Sequence, residues 1–359
     1  MRTVHIMHTH LPAPYRDFGS DNRAGISPAA LSGLILANKE GRADSYGKDT
    51  ETREANEAMA DLFDQEVYVV WVPTGTAANV TAISSLAQGP GECVLLAEDS
   101  HIRVDECGAI ERICGLPLVA LQTTGGLLRV DSLKSTIERL NTNAPFSPTP
   151  SILSITEISE TGRRHGLNLI DDLCQEAKKN NMSVHIDGAR FANALAEDRE
   201  LVHIFKAGVS TLSFGGTKNG QGPVEAVVTA SKEIHSKLMR AAKQFGYTLS
   251  KSRFATAGIK NSLQSGEFMH NARAANAKAK ELSDLLTAGG LPVAVPTDGN
   301  LVFVRVPAEA AAMIDAWSHI STWDANGLIR LACAWDHETE DITRLADGIL
   351  SAVRVGETN

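Results

Sequence analysis

The sequence lacks any apolar run approaching the ~20 residues needed to cross a bilayer, which argues against a membrane-spanning chain. Its opening stretch, MRTVHIMHTHLPAP, lacks the apolar segment of a secretory signal, so a cytoplasmic protein is expected. CxxC spacing is missing as well. Five cysteines, Cys93, Cys107, Cys114, Cys174 and Cys333, are scattered and odd in number, which predicts free thiols instead of a disulfide framework or a zinc site. Basic residues are in deficit: 34 Lys and Arg against 43 acids leave a net charge of −9, which disfavours nucleic acid and anionic membrane surfaces as partners. No internal repeat or low-complexity segment is found, which excludes a solenoid or a disordered scaffold. Walker A and GxGxxG patterns are also absent, so a mononucleotide or dinucleotide is not favoured.

What remains is a chain of ordinary soluble composition, 43% hydrophobic and 21% charged, and long enough at 359 residues for a large domain plus a smaller one. Seven short runs are apolar on both faces, as covered strands of a largely parallel sheet are: residues 66–73, 92–98, 116–122, 151–157, 182–187, 209–214 and 225–231. Between them, DSLKSTIERLN and LIDDLCQEAKKNN carry apolar residues three and four apart and read as crossover helices. A doubly wound α/β domain is therefore predicted over residues 21–250, after an N-terminal segment of residues 1–20. Past about residue 250 a long helix (His270 to Leu286), strands NLVFVRV and LIRLACA and a closing helix ETEDITRLADGILSAV predict a smaller α+β domain, residues 251–359.

Ligands of open α/β sheets sit outside the carboxyl ends of strands, and three such ends carry unusual residues. In VPTGTAANV, Thr74, Gly75 and Thr76 open a helix after a strand. The arrangement serves either as a plain N-cap or as an anion site, because first-turn amides and the helix dipole favour a phosphate. In MSVHIDGARFANAL, Asp187 ends a strand and is followed by Gly188, which lets the backbone approach a ligand closely. Arg190 either pairs with Asp187 structurally, or the two serve a ligand's cationic nitrogen and anionic oxygen respectively. In TLSFGGTKNG, Lys218 stands on a glycine-rich turn with no acid near it in sequence, 31 residues after Asp187. It is either a surface lysine or a desolvated amine able to form a Schiff base. His101, in AEDSHIRVDECGA, follows another strand and either stacks on a ring or is simply hydrogen-bonded structure. A phosphate cradle, an acid for a pyridine nitrogen and a lysine for an aldehyde together match the needs of pyridoxal 5′-phosphate (PLP).

SDNRAGISP, YGKDTET, VPTGTAANV, SHIRVDECGA, HIDGARFANAL, SFGGTKNG, LSKSRFATAGI and NARAANAKA follow one another in an order that resembles the L-threonine aldolases, most of all their low-specificity bacterial branch. These are PLP enzymes of the aspartate-aminotransferase fold (fold type I), grouped with β-eliminating lyases. The resemblance covers nearly the whole chain. It implies retro-aldol cleavage of L-β-hydroxy-α-amino acids to glycine and an aldehyde, with Lys218 as the Schiff-base lysine, Asp187 on the pyridine nitrogen, His101 stacked on the ring and Gly75 and Thr76 on the phosphate. Ser20, Arg190 and Arg330 would hold the substrate carboxylate. Family members are homotetramers built from tight dimers with shared active sites, which by similarity implicates Tyr46, Lys251 and Arg253 at a neighbour's site.

One departure stands out. Many family members carry an ENTHN motif whose histidine lies over the substrate hydroxyl, and this chain instead has TEISETGRRHG, with Ser159, Glu160 and Thr161 at that place. Either Glu160 positions the water or accepts the hydroxyl proton, or the role falls to His101. The alternatives to an aldolase are another PLP-dependent β-eliminating lyase, an aminotransferase, or an inactive PLP-binding paralogue.

Overall fold

The computed structural model describes residues 17–356, so most of the expected N-terminal segment, residues 1–16, lies outside the described residues. The chain divides into two compact units: residues 26–160 with 164–269, and residues 17–25 and 161–163 with the stretch from 270 onward.

The larger unit is built on a seven-stranded sheet. Its strands are β1 (Tyr68–Val72), β2 (Glu92–Ala97), β3 (Leu118–Leu121), β4 (Thr149–Thr156), β5 (Ser183–Gly188), β6 (Thr211–Gly215) and β7 (Glu225–Thr229). The spatial order is β1-β7-β6-β5-β4-β2-β3. Strands β3, β2, β4, β5 and β6 run parallel, and β7 pairs antiparallel with both β6 and β1. All seven strands fall on the apolar runs read from the sequence, because a sheet covered on both faces demands continuous apolar character. Every residue of β6 and β7 is buried.

The crossover helices follow their apolar stripes. Val130–Thr142 buries Leu133, Thr136, Ile137 and Leu140, spaced three or four apart, and Gly166–Lys179 buries Ile170, Leu173, Cys174 and Ala177. Each such aliphatic side chain contributes roughly 1.5–3 kcal/mol by leaving water. The helix Gly75–Leu86 is different: Ala77 through Ile83, polar Asn79 and Thr81 included, are all buried. An interior helix that keeps a buried asparagine needs a partner for it, and that partner lies at the candidate site.

Across the sheet, buried His185 on β5 joins Ser154 Oγ of β4 (2.9 Å) and Ser213 Oγ of β6 (3.0 Å). Burial holds its imidazole down at about 4, so this strand bridge is neutral.

The smaller unit has an antiparallel sheet in the order β8 (Leu301–Arg305), β10 (Leu328–Ala332), β9 (Ser321–Thr322). Its core gathers Phe18, Leu282, Val304, Ile329, Leu345 and Ile349 among others. Helices Ala308–Ser318 and Thr339–Gly356 belong to it, as does most of the helix Glu267–Ala288. The segment entering at Phe18 lies alongside β10, with the Ala332 amide donating to the Phe18 carbonyl at 2.8 Å.

Candidate active site

Strand ends of the larger unit bring five of the residues picked from sequence into one charged cluster. Asp187 ends β5 and is buried; its Oδ1 accepts from the Ala189 amide (3.2 Å) and its Oδ2 from Asn79 Nδ2 (3.1 Å). The carboxylate is thus aimed by the helix Gly75–Leu86 as well as by its own strand. Lys218 is half-buried on the short 3-10 turn Thr217–Asn219 that follows β6. Arg190, also buried, sits just past β5, where the helix Phe191–Glu197 begins.

Glu160 is the electrostatic centre of the cluster. Burial pushes its carboxyl above the usual carboxylate range; the Arg190, Lys218 and His101 charges oppose that shift, and Asp187 adds to it. His101 opens the short helix His101–Val104, with Nδ1 3.1 Å from Glu106 Oε1. The Glu106 carboxylate raises the His101 pKa, burial opposes, and the Asp187 and Glu160 charges add to the rise. His101 is therefore biased toward its charged form, and Glu160 toward its neutral one.

The turn bearing Lys218 is fixed on both sides. Asn219 Nδ2 donates to the Phe268 carbonyl (2.8 Å), and Gln221 Nε2 donates to the Asn219 carbonyl (2.7 Å) and Ser262 Oγ (3.0 Å). Gly220 closes the turn at φ 88°, a left-handed conformation that favours glycine. The other glycines lie against neighbouring backbone. A Cβ at Gly188 would fall 2.7 Å from the Ser213 carbonyl oxygen, and one at Gly215 would fall 2.3 Å from the Ala189 carbonyl oxygen. At Gly216 it would meet the Val224 carbonyl oxygen at 2.6 Å. These glycines let neighbouring backbones approach one another at the strand ends.

Nor is Lys218 without acidic neighbours. Glu160, 58 residues earlier, and Glu225, seven residues later, both act electrostatically with it. Asn79, Glu106 and Glu225 are functional candidates that sequence reasoning missed. Asn79 Nδ2 also donates to Glu106 Oε1 (2.9 Å), so one amide links the carboxylate beside His101 to Asp187.

The N-terminus of Gly75–Leu86 suits an anion. Thr74 is its N-cap: the hydroxyl oxygen accepts from the Ala77 amide (3.1 Å) and the carbonyl from the Ala78 amide (3.0 Å). This leaves the Gly75 and Thr76 amides to a ligand. Among the described residues, no atom outside its own helix backbone and chain neighbours lies within 4 Å of a Cβ built at Gly75, which leaves room there. An open helix N-terminus, a buried oriented carboxylate and a lysine turn in one unit fit the phosphate, ring nitrogen and aldehyde of PLP. The buried Asn79 Oδ1 and Glu106 Oε2, which have no hydrogen-bond partner among the described residues, mark polar capacity at the same place.

A family model described as Beta-eliminating lyase matches residues 17–309. The chain belongs to this family. Among curated relatives, the low specificity L-threonine aldolase of Pseudomonas sp. (strain NCIMB 10558) is 33% identical over 342 residues, covering 93% of this chain and 97% of the relative. The Pseudomonas aeruginosa low specificity L-threonine aldolase is 32% identical over the same shares. Among solved structures, the Leishmania major threonine aldolase superposes with a TM-score of 0.87 at 23% identity, over 94% of this chain and 99% of that one. A structure of SPT with PLP as the internal aldimine gives 0.72 at 19% identity, over 95% and 88%. At those identities the structures show the fold, which is that of PLP fold type I as expected. The family and the donor set agree on PLP as the cofactor.

The remaining predicted residues fall in two other groups. In the smaller unit, Arg330 Nη2 donates to the Gly19 carbonyl (3.3 Å) and lies 3.4 Å from Ser321 Oγ, so β10 brings Arg330 beside Ser20. The Ser20 hydroxyl accepts from the Asn22 amide (3.2 Å), and the Arg330 guanidinium lies 5.4 Å from the centre of the Trp323 ring. In the larger unit, Tyr46, Lys251 and Arg253 cluster together. The Tyr46 amide donates to the Ser250 carbonyl (2.9 Å), Arg253 Nη2 donates to the Gly41 carbonyl (3.0 Å), and Lys251 caps the helix Ser252–Ser265. Tyr46 is 55% exposed and lines a cavity of about 520 Å³ with Trp71, His235, Lys243 and Leu249; Lys218 and Asp187 do not line it.

Proposed function

We propose that this protein is a PLP-dependent L-threonine aldolase, cleaving L-β-hydroxy-α-amino acids to glycine and an aldehyde. The observation that carries the reading is the convergence of Lys218, Asp187, His101, Arg190 and Glu160 at the strand ends of the larger unit. Lys218 would hold the cofactor aldehyde, Gly75 and Thr76 its phosphate, Asp187 its ring nitrogen and His101 its ring face. Bound there, PLP supplies an electron sink for the pair left at the substrate Cα.

The chain's own residues do the rest. Arg190 takes the substrate carboxylate, and charge-assisted hydrogen bonds fix its orientation; Ser20 and Arg330 are the smaller unit's own candidates for the same group. Glu160 accepts the β-hydroxyl proton as the Cα–Cβ bond breaks and Cβ–O becomes the aldehyde carbonyl; a proton returned to Cα completes glycine. Burial raises the proton affinity of that carboxyl, and the Arg190, Lys218 and His101 charges oppose the rise by favouring the ionised form that can accept a proton. Asp187, held by Asn79 and the Ala189 amide, stays in place to keep the ring nitrogen protonated.

Assembly as a homotetramer, a dimer of dimers with Tyr46, Lys251 and Arg253 directed to a neighbour's site, is part of this reading, as is residence in the cytoplasm. Tyr46 exposure in one patch with the other two supports the former. Among the described residues no helix is long and apolar enough to cross a membrane. The names of the curated relatives favour an aldolase over a β-eliminating lyase, an aminotransferase or an inactive paralogue. A substrate panel tests the activity. Aldehyde release is expected from L-threonine, L-allo-threonine or L-phenylserine diastereomers, with the D-forms inert; steady pyruvate from L-serine without aldehyde release would overturn it.

A further inference from the structure

Glu225 opens β7, opposite Gly215 at the end of β6 and Val72 at the end of β1. The β6–β7 ladder ends at this pair, and the chain turns away toward Lys218. There the Glu225 side chain replaces the ladder. Its Oε2 accepts from the Gly216 amide (3.1 Å) and its Oε1 from the Thr217 amide (3.4 Å), with the Thr217 side chain as a further hydrogen-bond partner. The carboxyl is buried. The charged group acting on it is Lys218 of the turn itself, while β6 and β1 set glycine and valine opposite it.

Two features separate this from ordinary turn-holding. A glutamine would reach the same place and carry no charge, yet here an acid is kept out of water. Burial raises its carboxyl from 4.5 to about 7, with the Thr217 side chain, Lys218 and the two amides opposing. A raised carboxyl means that the native state binds more protons than the unfolded chain between those values. Glu225 thus costs stability as pH rises through that window, instead of adding to it. A buried acid retained at such a cost, facing one lysine, points to a use for its charge.

We propose that Glu225 is the positioning residue of the lysine turn: its carboxylate pins the Gly216 and Thr217 amides and stands as the counter-charge that sets the proton affinity of the Lys218 nitrogen when that nitrogen is bonded to the cofactor. This rests on the reading of Lys218 as the cofactor-bearing residue. A negative charge in a dry setting stabilises a protonated nitrogen nearby, and the same charge strengthens the hydrogen bonds from both amides. As Glu225 takes up a proton near neutrality, both effects weaken together.

The test follows the visible absorbance of the PLP-loaded enzyme against pH for the native protein, Glu225→Gln and Glu225→Asp. Loss of the counter-charge is expected to lower the midpoint of the nitrogen's titration by about one unit, a tenfold loss of proton affinity, in Glu225→Gln, with Glu225→Asp between it and native. Amide hydrogen exchange of residues 215–220 is the second arm. Glu225→Gln is expected to speed Gly216 and Thr217 exchange about tenfold above neutral pH, the effect of weakening hydrogen bonds to a charged group. In the native protein the same amides, corrected for intrinsic rate, lose protection as pH falls through about 7. A native-like midpoint in Glu225→Gln overturns the proposal, as does unchanged protection of the turn. If Glu225→Gln does not fold, the native pH dependence and Glu225→Asp decide. If the native enzyme shows no lysine-bound cofactor, the reading of Lys218 fails, and the exchange arm still decides whether Glu225 holds the turn.

Discussion

In the proposed reading, Glu160 takes the role that the family's usual histidine would otherwise bear. Its position amid Arg190, Lys218, Asp187 and His101 makes its protonation sensitive to every charge in the site. Replacing it with glutamine keeps the shape and removes the proton acceptor, so kcat for aldehyde release is expected to fall about 10²- to 10⁴-fold while cofactor absorbance persists. Stopped-time assays beside a spectrum of the same sample check both halves; undiminished kcat would move the role to His101. At this scale legibility depended on sequence distance. Asp187 and Lys218 could be picked out because each lies at or just past the end of a strand in an unusual local setting. Asn79 and Glu106 could not, because Asn79 reads as one more residue of an apolar helix and meets Asp187 from 108 residues away. Glu225 looked like the first residue of a strand, which it also is.

At the level of elements, the site exists because β5 and β6 end close together. Gly188 and Gly215 allow this, each filling space that a side chain would deny to the neighbouring backbone. Gly215→Ala would set a Cβ 2.3 Å from the Ala189 carbonyl oxygen, a backbone atom with little freedom to yield. Overpacking of that kind costs about 1–3 kcal/mol. The variant is therefore expected to melt earlier and to bind cofactor more weakly, since Lys218 and Asp187 are pushed apart; a melting curve and a cofactor titration read both. Strands were legible as whole elements, since a covered sheet leaves a continuous apolar signature. The two-residue β9 left none, being too short for any period to show. The glycines were noticed in sequence, but only the register of β5 on β6 shows that Gly188 and Gly215 also face protein backbone.

For the whole molecule, the α/β class and the smaller α+β unit followed from composition and alternation, and the family match extends that reading over residues 17–309. The two units hold different halves of the expected chemistry: the larger has the cofactor residues, and the smaller has Ser20 and Arg330. No run of sequence could show that Phe18 to Ser20 lies along β10, a pairing between residues more than 300 positions apart. The central claim is that Lys218 binds the cofactor and that this bond is required for cleavage. Spectra and aldehyde release measured on the same preparations of the native protein and Lys218→Ala test it most directly. The native protein should show the ~420 nm absorbance of lysine-bound PLP and release aldehyde from L-threonine, and Lys218→Ala should lose both. Retention of either by Lys218→Ala would contradict the account.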